Sequence, residues 1–438
     1  MRAELRLAGL AAAAALALAA AGCGGSRATL KVGVLTDCHG VFSAISDGVL
    51  GAAELPFLER GARLAGPKPS DGIAGAKVGG VAVEIVTGCA EVTYLSQLIE
   101  NVRRLVERDR VDVVVGPMLG ETDGLVVRDL ARRYPRVTFL LGSSRAQETT
   151  LHDPAPNVFR FTPDEAQSTA GLGAYAFHRL GWRRAAVVVA DSSQTWPEAA
   201  GFIAEFCSLG GRVDRVPAPL SGAASAVARI PVDADGVVAL TRFVGDTAQF
   251  ATAYARRQRD LGRHLLLGPD ALVFADRKTL LGLAPLLQDV VVSSPAEYQT
   301  TGADWDAFRR RYAAHFRNLA VLDNPAGNPL YVDYYTATEA LAQALGRSRA
   351  GGEALRAALA GAAVDGPAGP IRLDRNRQAI VSTYLVRFDP GSRSLLPTMQ
   401  VVPNVEQSFG GYFDARTPPP SLAQPGCHRA TPPAWARR

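Results

Sequence analysis

Between residues 30 and 141 the chain alternates short apolar runs with longer segments in which apolar residues recur every three or four positions. The apolar runs cover 30–35, 81–86, 111–115 and 137–141, and helical periodicity covers 95–106 and 122–134. Short continuous apolar runs are typical of strands buried on both faces, and helices between them indicate crossovers. This pattern predicts an α/β unit with a parallel sheet.

A second unit of the same kind follows. Helices are predicted at 164–180, 198–209 and 246–261, and strands at 185–190, 211–216, 236–240, 265–267 and 290–293. Two similar units suggest two lobes with a cleft between them. Ligands of open parallel sheets bind beyond the carboxyl ends of the strands, so the loops that follow the strands are the candidate site.

The first 23 residues have the pattern of an export signal. Arg2 and Arg6 precede an apolar run over residues 7–21, which is too short to cross a membrane and ends at Gly22 and Cys23. The end of this run resembles the bacterial lipobox, whose cysteine is acylated. We predict a lipoprotein signal peptide at 1–22, lipidation of Cys23 and a tether at 23–29. The alternative is a cleaved signal peptide with an incidental cysteine.

Composition narrows the class of protein. The chain has 438 residues, more than one hydrophobic core usually supports, and 47% hydrophobic with 20% charged residues is ordinary for globular proteins. The net charge of +5 comes from charges of both signs scattered along the chain, without a basic stripe. We therefore expect no nucleic-acid partner.

Four cysteines remain once Cys23 is assigned to lipid. An even number in an exported chain suggests disulfides, and four cysteines allow three pairings. Cys38 and Cys89 each follow a predicted strand, and they lie side by side if those strands are parallel neighbours. This favours Cys38 with Cys89, and leaves Cys207 with Cys427.

Several short motifs occur in a specific order, at 31–35, 72–75, 113–117, 157–164, 209–213, 233–238, 267–270 and 369–373. Together they resemble the branched-chain amino acid (Leu/Ile/Val) binding protein family, the type I periplasmic binding proteins of ABC importers. The resemblance extends over about residues 30–390. It implies two Rossmann-like α/β lobes with parallel sheets, joined by three hinge segments near Arg160, near Pro295 and at 373–384.

The domain boundaries follow from this resemblance. Lobe one is expected at 30–158 and 296–372, and lobe two at 159–295 and 373–412. Residues 413–438 contain several prolines and few apolar residues, so we expect an irregular tail outside the core.

The cleft-facing loops supply the candidate ligand-binding residues, which are His39, Phe42, Thr122, Ser143, Ser144, Arg145, Trp196 and Asp270. By resemblance, hydroxyls and backbone amides bind a ligand carboxylate, Asp270 binds an ammonium group, and Trp196 forms an aromatic lid. Arg145 could pair with an anion. Gly120 stands near where relatives often place a serine, and Glu121 disfavours a carboxylate. The predicted ligand is therefore a small polar solute, an amino acid or a related compound.

Structural roles compete for the same residues. Trp196 precedes a proline at a helix start and could be a packing cap, and Asp270 could be a helix N-cap. Arg145 and Glu121 could be solvated loop charges. His39 could cover a disulfide instead of lining the cleft.

The sequence has no GxxxxGK[ST], HExxH or GxSxG motif, and its six histidines are widely spread. We therefore predict a lipid-anchored extracytoplasmic receptor, not an enzyme, that needs no cofactor or metal. An ABC permease is its expected membrane partner, and a monomer its expected state. The alternatives are a sensory receptor without a transport role and an exported α/β hydrolase using Ser143 and His39.

Overall fold

Two β-sheets with helices on both faces make up the computed structural model of the chain. It describes residues 29–437 except 41, 92–93, 119–120, 273–274, 295–302 and 317–328. The predicted signal peptide, the lipidation site Cys23 and the tether up to residue 28 lie outside the described residues. So do Gly120, the side chains of Glu121 and Thr122, and the crossover predicted near Pro295.

The first sheet has the strand order β4-β5-β1-β6-β7-β8, and all neighbours are parallel except β4 with β5. Its strands are rich in Val, Ile and Leu, as expected for a sheet buried on both faces. A separate hairpin joins β2 to β3. The strands are β1 (Thr29–Thr36), β2 (Arg63–Leu64), β3 (Ile73–Ala74), β4 (Lys77–Val78), β5 (Val81–Cys89), β6 (Val113–Val115), β7 (Thr138–Leu141) and β8 (Val158–Arg160).

The second sheet has the order β10-β9-β11-β12-β13-β16-β15-β14, with β17 also paired to β16. Strands β9 to β13 are parallel, and β14 to β17 extend the sheet in antiparallel fashion. The strands are β9 (Arg184–Ala190), β10 (Arg212–Ala218), β11 (Gly236–Leu240), β12 (Leu265–Leu267), β13 (Val291–Ser294), β14 (Ala363–Gly366), β15 (Gly369–Leu373), β16 (Ala379–Arg387) and β17 (Thr398–Val405). The predicted α/β class is confirmed, and the two sheets are mostly but not wholly parallel.

Helices cover both faces of each sheet because successive strand residues point to opposite sides. In β6, for example, Val113 and Val115 join one core cluster and Val114 joins another. The helices are α1 (Ser43–Leu58), α2 (Leu95–Arg103), α3 (Glu121–Arg133), α4 (Glu148–Leu151), α5 (Glu165–Ser168), α6 (Leu172–Ala174), α7 (Thr195–Ser208), α8 (Val244–Ala255), α9 (Leu261–His264), α10 (Arg277–Leu287), α11 (Ala303–His315), α12 (Pro329–Ser348) and α13 (Gly352–Ala360). Short π-helical turns follow α2 and α6, at Arg104–Arg108 and Tyr175–Arg179, and 3-10 turns occur at Pro69–Asp71, Ala223–Arg229, Phe409–Gly411 and Ala434–Ala436.

The single helix predicted at 164–180 is wrong, because the chain breaks at Gly171. This glycine has a φ of 95°, and its amide donates to the buried carboxylate of Glu205. Burial raises the pKa of Glu205 to about 7, while its hydrogen bonds to backbone amides lower it. Such a turn depends on a distant partner, which the periodicity cannot reveal.

Two of the predicted hinge segments meet at Arg160. This side chain is fully buried, and its Nε donates to Oε1 of Gln378 at 2.5 Å. The amide nitrogen of Gln378 donates in turn to Thr162 O at 2.9 Å and to Gln167 Oε1 at 2.8 Å. The first and last crossovers are therefore joined by one network of buried hydrogen bonds.

The predicted lobe boundary at 372/373 falls inside β15. Strands β14 and β15 form a hairpin that hydrogen-bonds to β16 in the second sheet. Val364 and Ile371 of this hairpin nevertheless belong to the core cluster that contains residues of α12. The hairpin therefore connects the two lobes.

The C-terminal segment after residue 412 is irregular apart from the turn at Ala434–Ala436, but it is not outside the core. Ala436 is fully buried, and the indole nitrogen of Trp435 donates to Glu205 Oε1 at 3.0 Å. A Cys207–Cys427 disulfide holds the segment on lobe two. The C-terminal segment is therefore held on the core by a few aromatic residues and one disulfide, although its low apolar content predicted no such packing.

Candidate functional site

Both sheets direct the carboxyl ends of their parallel strands toward the same group of loops. In each sheet the five parallel strands follow the order 2-1-3-4-5, and the strand order reverses between the first and third strands, which is where such sheets form a ligand-binding crevice. The loop after β7 carries Ser143, Ser144 and Arg145, and the start of α5 carries Glu165. The amide of Glu165 donates to Arg145 O at 3.0 Å, so the two lobes touch here.

Arg145 is the centre of a buried group of charges. Its Nη2 donates to Asp333 Oδ2 on α12 at 2.9 Å, and each side chain is only 5% exposed. Burial raises the pKa of Asp333, while Arg145 and the adjacent Ser143 hydroxyl lower it. Burial by itself lowers the pKa of Arg145, but Asp333, Glu165 and Asp270 raise it above its usual range. Arg145 is thus a buried cation.

The carboxylate of Glu165 faces Arg145 from lobe two. Burial and the carboxylate of Asp270 raise the pKa of Glu165 to about 8, while Arg145 and Arg242 lower it. Burial and Asp270 therefore favour the protonated form of Glu165 when no ligand is bound. Three carboxyl groups and two guanidinium groups share this part of the cleft.

Several buried polar atoms around the cleft have no hydrogen-bond partner among the described residues. They include Nε of Arg145, Oε2 of Glu165 and Nε of Arg242, and also Oγ of Ser293 at the end of β13. An unsatisfied buried polar group typically costs about 1–3 kcal/mol, and such groups are rare in native structures. A polar ligand in the cleft could satisfy several of these atoms together.

The other predicted site residues occupy mixed positions. Ser144 is buried, and a Cβ placed on Gly124 of α3 would lie 2.4 Å from the Ser144 hydroxyl. Phe42 is half-buried just before α1 and packs on the core. Asp270 is half-buried, and its charge raises the pKa of Arg145 and of Glu165. Thr122 lies in the first turn of α3.

His39 is exposed beside the Cys38–Cys89 disulfide. Its ring nitrogen and the two sulfurs lie within 4.8 Å of one another, but the sulfurs are bonded to each other, so they do not form a metal site. This position matches the alternative in which His39 covers a disulfide. Both predicted disulfides are confirmed.

Trp196 is the second residue of α7, and its ring packs against the core. Its backbone amide donates to Ser192 O at 3.2 Å, while its indole nitrogen is buried without a partner among the described residues. The packing agrees with a cap at a helix start. The indole N–H is therefore available to donate a hydrogen bond to a ligand.

Sequence reasoning missed Glu165, Asp333 and Arg242. Glu165 follows Asp164, which caps α5 by accepting from Gln167 N at 2.7 Å, and acidic residues at helix starts usually serve as caps. Asp333 is 188 residues from Arg145 in sequence and lies on a helix with no distinctive motif. Only the fold brings these groups together.

Comparison with known proteins gives a consistent result. The model of a family described as periplasmic binding protein matches residues 29–393. An ABC transporter substrate-binding protein from Sphaerobacter thermophilus has 23% identity and a TM-score of 0.70, covering 86% of this chain and 99% of its own. No curated protein matches the chain.

Two further solved structures share the fold. A solute-binding protein of an ABC transporter from Rhodopseudomonas palustris, in complex with p-hydroxybenzoic acid, has 17% identity and a TM-score of 0.70, covering 86% of this chain and 98% of its own. A leucine-binding protein from Thermotoga maritima has 18% identity and a TM-score of 0.63, covering 85% and 98%. Within the described residues, no helix is both long enough and apolar enough to span a membrane.

Proposed function

Because the chain belongs to the periplasmic binding protein family, we propose that it is the solute receptor of an ABC importer. Two lobes close on a small polar ligand by hinge motion, and the closed form docks on a permease. The family places the protein outside the cytoplasm and makes it a binding protein, not an enzyme. A sensory receptor without a transport role is the alternative.

The observation that supports this proposal is the set of unsatisfied polar atoms on both sides of the cleft. Nε of Arg145 belongs to lobe one, and Oε2 of Glu165 belongs to lobe two. A ligand that contacts both lobes makes its full set of contacts only in the closed form, so it binds the closed form more tightly than the open form. A hinge receptor requires this difference in affinity.

The charges favour a ligand with an amino group and a carboxylate. Arg145 is already paired with Asp333, so it is not a free cation, and its Nε is a donor without a partner among the described residues. The carboxyl groups of Glu165 and Asp270 stand on the opposite lobe, where an ammonium group would favour the ionised form of Glu165. We infer an amino acid or a related aminocarboxylate.

Calorimetry with amino acids, aromatic carboxylates, amides and polyamines tests the ligand class. Related structures were solved with p-hydroxybenzoic acid and with isoleucine, so both classes belong in the panel. We expect binding of a solute that carries an amino group. Binding of aromatic acids alone would overturn the proposed ligand class.

Small-angle scattering with the identified ligand tests the hinge, since closure must reduce the radius of gyration. Stimulation of a reconstituted permease ATPase by the liganded protein separates transport from sensing. A liganded protein that compacts but never stimulates its genomic neighbour permease would favour the sensory alternative.

The proposed anchor is a lipid on Cys23. The first described strand begins at Thr29, so a tether of a few residues joins the fold to the acylation site. Mass spectrometry of the mature N-terminus should find an acylated Cys23, and Cys23→Ala should leave the protein unacylated. An unmodified mature N-terminus would support the alternative of an ordinary cleaved signal.

A further inference from the structure

A second concave site lies at the end of lobe one that is opposite the cleft. Its volume is about 630 Å³, and its lining includes Thr29, Val81, Val111 and Val137, each within two residues of the start of a parallel strand. Because the cleft lies at the carboxyl ends of the same strands, the two sites are at opposite edges of one sheet.

Three arginines line this cavity, Arg110, Arg136 and Arg349. All three are exposed, and none of their guanidinium groups has an ion pair or hydrogen bond with a residue that the structure describes. Asp112 is the acidic residue of the lining, and its carboxylate accepts from Lys31 N at 3.0 Å. The cavity therefore has an excess of positive charge.

Backbone features add to this charge. Arg110 and Arg349 have φ values of 57° and 52°, a conformation that glycine adopts most readily, so the backbone alone does not account for arginine at these positions. Helix α13 begins at the cavity, and its N-cap residue Gly351 has no side chain to bind the free amides of the first turn. Guanidinium groups are well suited to bind phosphate oxygens.

We propose that this cavity, which we call the arginine cavity, binds the phosphate headgroup of an anionic phospholipid. The choice of a lipid rests on the proposed lipidation of Cys23. Thr29 lines the cavity and is six residues from Cys23, a span of at most roughly 20 Å for extended chain. The anchor would hold the arginine cavity at the membrane surface, with the cleft at the far end of lobe one.

Vesicle co-sedimentation tests the proposal with the chain from residue 24 onward, which contains the whole described fold and no acylation site. We expect binding to phosphatidylcholine vesicles that contain phosphatidylglycerol, and little binding to phosphatidylcholine alone. The triple variant Arg110→Gln/Arg136→Gln/Arg349→Gln should bind roughly 100-fold more weakly, since each arginine near an anionic surface contributes about fivefold. Thermal unfolding and cleft-ligand binding should match the wild type, which separates this site from the proposed function.

The control triple Arg212→Gln/Arg256→Gln/Arg259→Gln removes the same charge from exposed positions of lobe two. It should keep vesicle binding within about threefold of the wild type, because these positions are far from the arginine cavity. Equal losses in both triples would overturn the proposal in favour of non-specific charge attraction. Titration with inorganic phosphate is the second arm: a site that binds phosphate but not the anionic vesicles would also overturn it.

Discussion

Two buried arginines of this protein, Arg160 and Arg145, differ in how their hydrogen bonds are satisfied. Arg160 bonds through Nε to Gln378, through Nη1 to Ala146 O at 2.7 Å, and through Nη2 to Thr150 Oγ1 at 2.7 Å. Arg145 bonds to Asp333, and its Nε has no partner among the described residues. All three nitrogens of the Arg160 guanidinium group are hydrogen-bonded within the protein. The Arg145 guanidinium group still has a buried donor that could bind a ligand.

This difference predicts that one arginine contributes mainly to folding stability and the other mainly to ligand binding. A satisfied buried network fixes one arrangement of the chain, whereas an unsatisfied group is a cost that folding alone does not offset. The hinge arginine should therefore matter most for unfolding, and the cleft arginine for binding. Four predictions test this contrast.

The largest effect is expected for Arg160→Met. The substitution leaves Asp164, whose carboxylate lies 3.9 Å from Arg160, buried without its cation, and it removes three hydrogen bonds donated by the guanidinium group. Breaking a buried pair in this way costs about 3–5 kcal/mol in the free energy of unfolding. Urea unfolding measures it, with the exposed Arg259→Met as control. A loss of less than about 1 kcal/mol would contradict a structural role.

For Arg145→Met we expect a loss of about 3 kcal/mol, because Asp333 becomes an unpaired buried acid. The double variant Arg145→Met/Asp333→Leu should recover most of this stability but should not recover ligand binding. Urea unfolding and calorimetry measure the two properties separately. If the double variant binds as tightly as the wild type, the ion pair is purely structural and the contrast with Arg160 fails.

Glu165→Gln should weaken binding of an amino-bearing ligand by roughly 10- to 100-fold, the equivalent of about 1.4–2.7 kcal/mol. Since the pKa of Glu165 is raised to about 8, an ammonium ligand displaces a proton, and wild-type affinity should rise with pH up to about 8. Calorimetry in buffers of different ionisation heat detects this proton. The exposed Glu353→Gln serves as control, and equal proton release from both variants would refute the role of Glu165.

The last prediction concerns Glu54 on α1, a fully buried carboxyl whose two oxygens have no partner among the described residues. Burial, with Asp47 and Asp71, raises its pKa from 4.5 to about 9. Because its folded pKa is the higher one, its stability contribution is complete below pH 4.5 and is lost as the pH rises toward 9. Each pH unit in this window costs at most about 1.4 kcal/mol.

Glu54→Gln should remove this pH dependence while having little effect near pH 5. Urea unfolding at pH 5, 7 and 9 measures it, and Glu84→Gln is an exposed control. A variant with the wild-type pH profile would show that Glu54 has a partner that stabilises its charge.

The sequence predicted the central strands of the second sheet well because they are continuous apolar runs, as in 236–240 and 265–267, which match β11 and β12. The sequence also indicated Arg145 and Asp270 as candidate ligand-binding residues, because they lie in loops that follow strands. It could not indicate Asp333 or Glu165, because their burial and their charge interactions depend on residues distant in sequence. The hairpin of β14 and β15 was also missed, since its few residues carry no strand periodicity.

The two disulfides are consecutive along the chain: Cys38 joins Cys89, and Cys207 joins Cys427. A chain that enters an oxidising compartment from its N-terminus exposes Cys89 long before Cys207, so the first native bond can close while only one partner is present. The second bond must wait for Cys427, which follows Cys207 by 220 residues. The order of emergence thus favours one of three pairings, and the bond that holds the C-terminal segment on lobe two forms after the bond within lobe one.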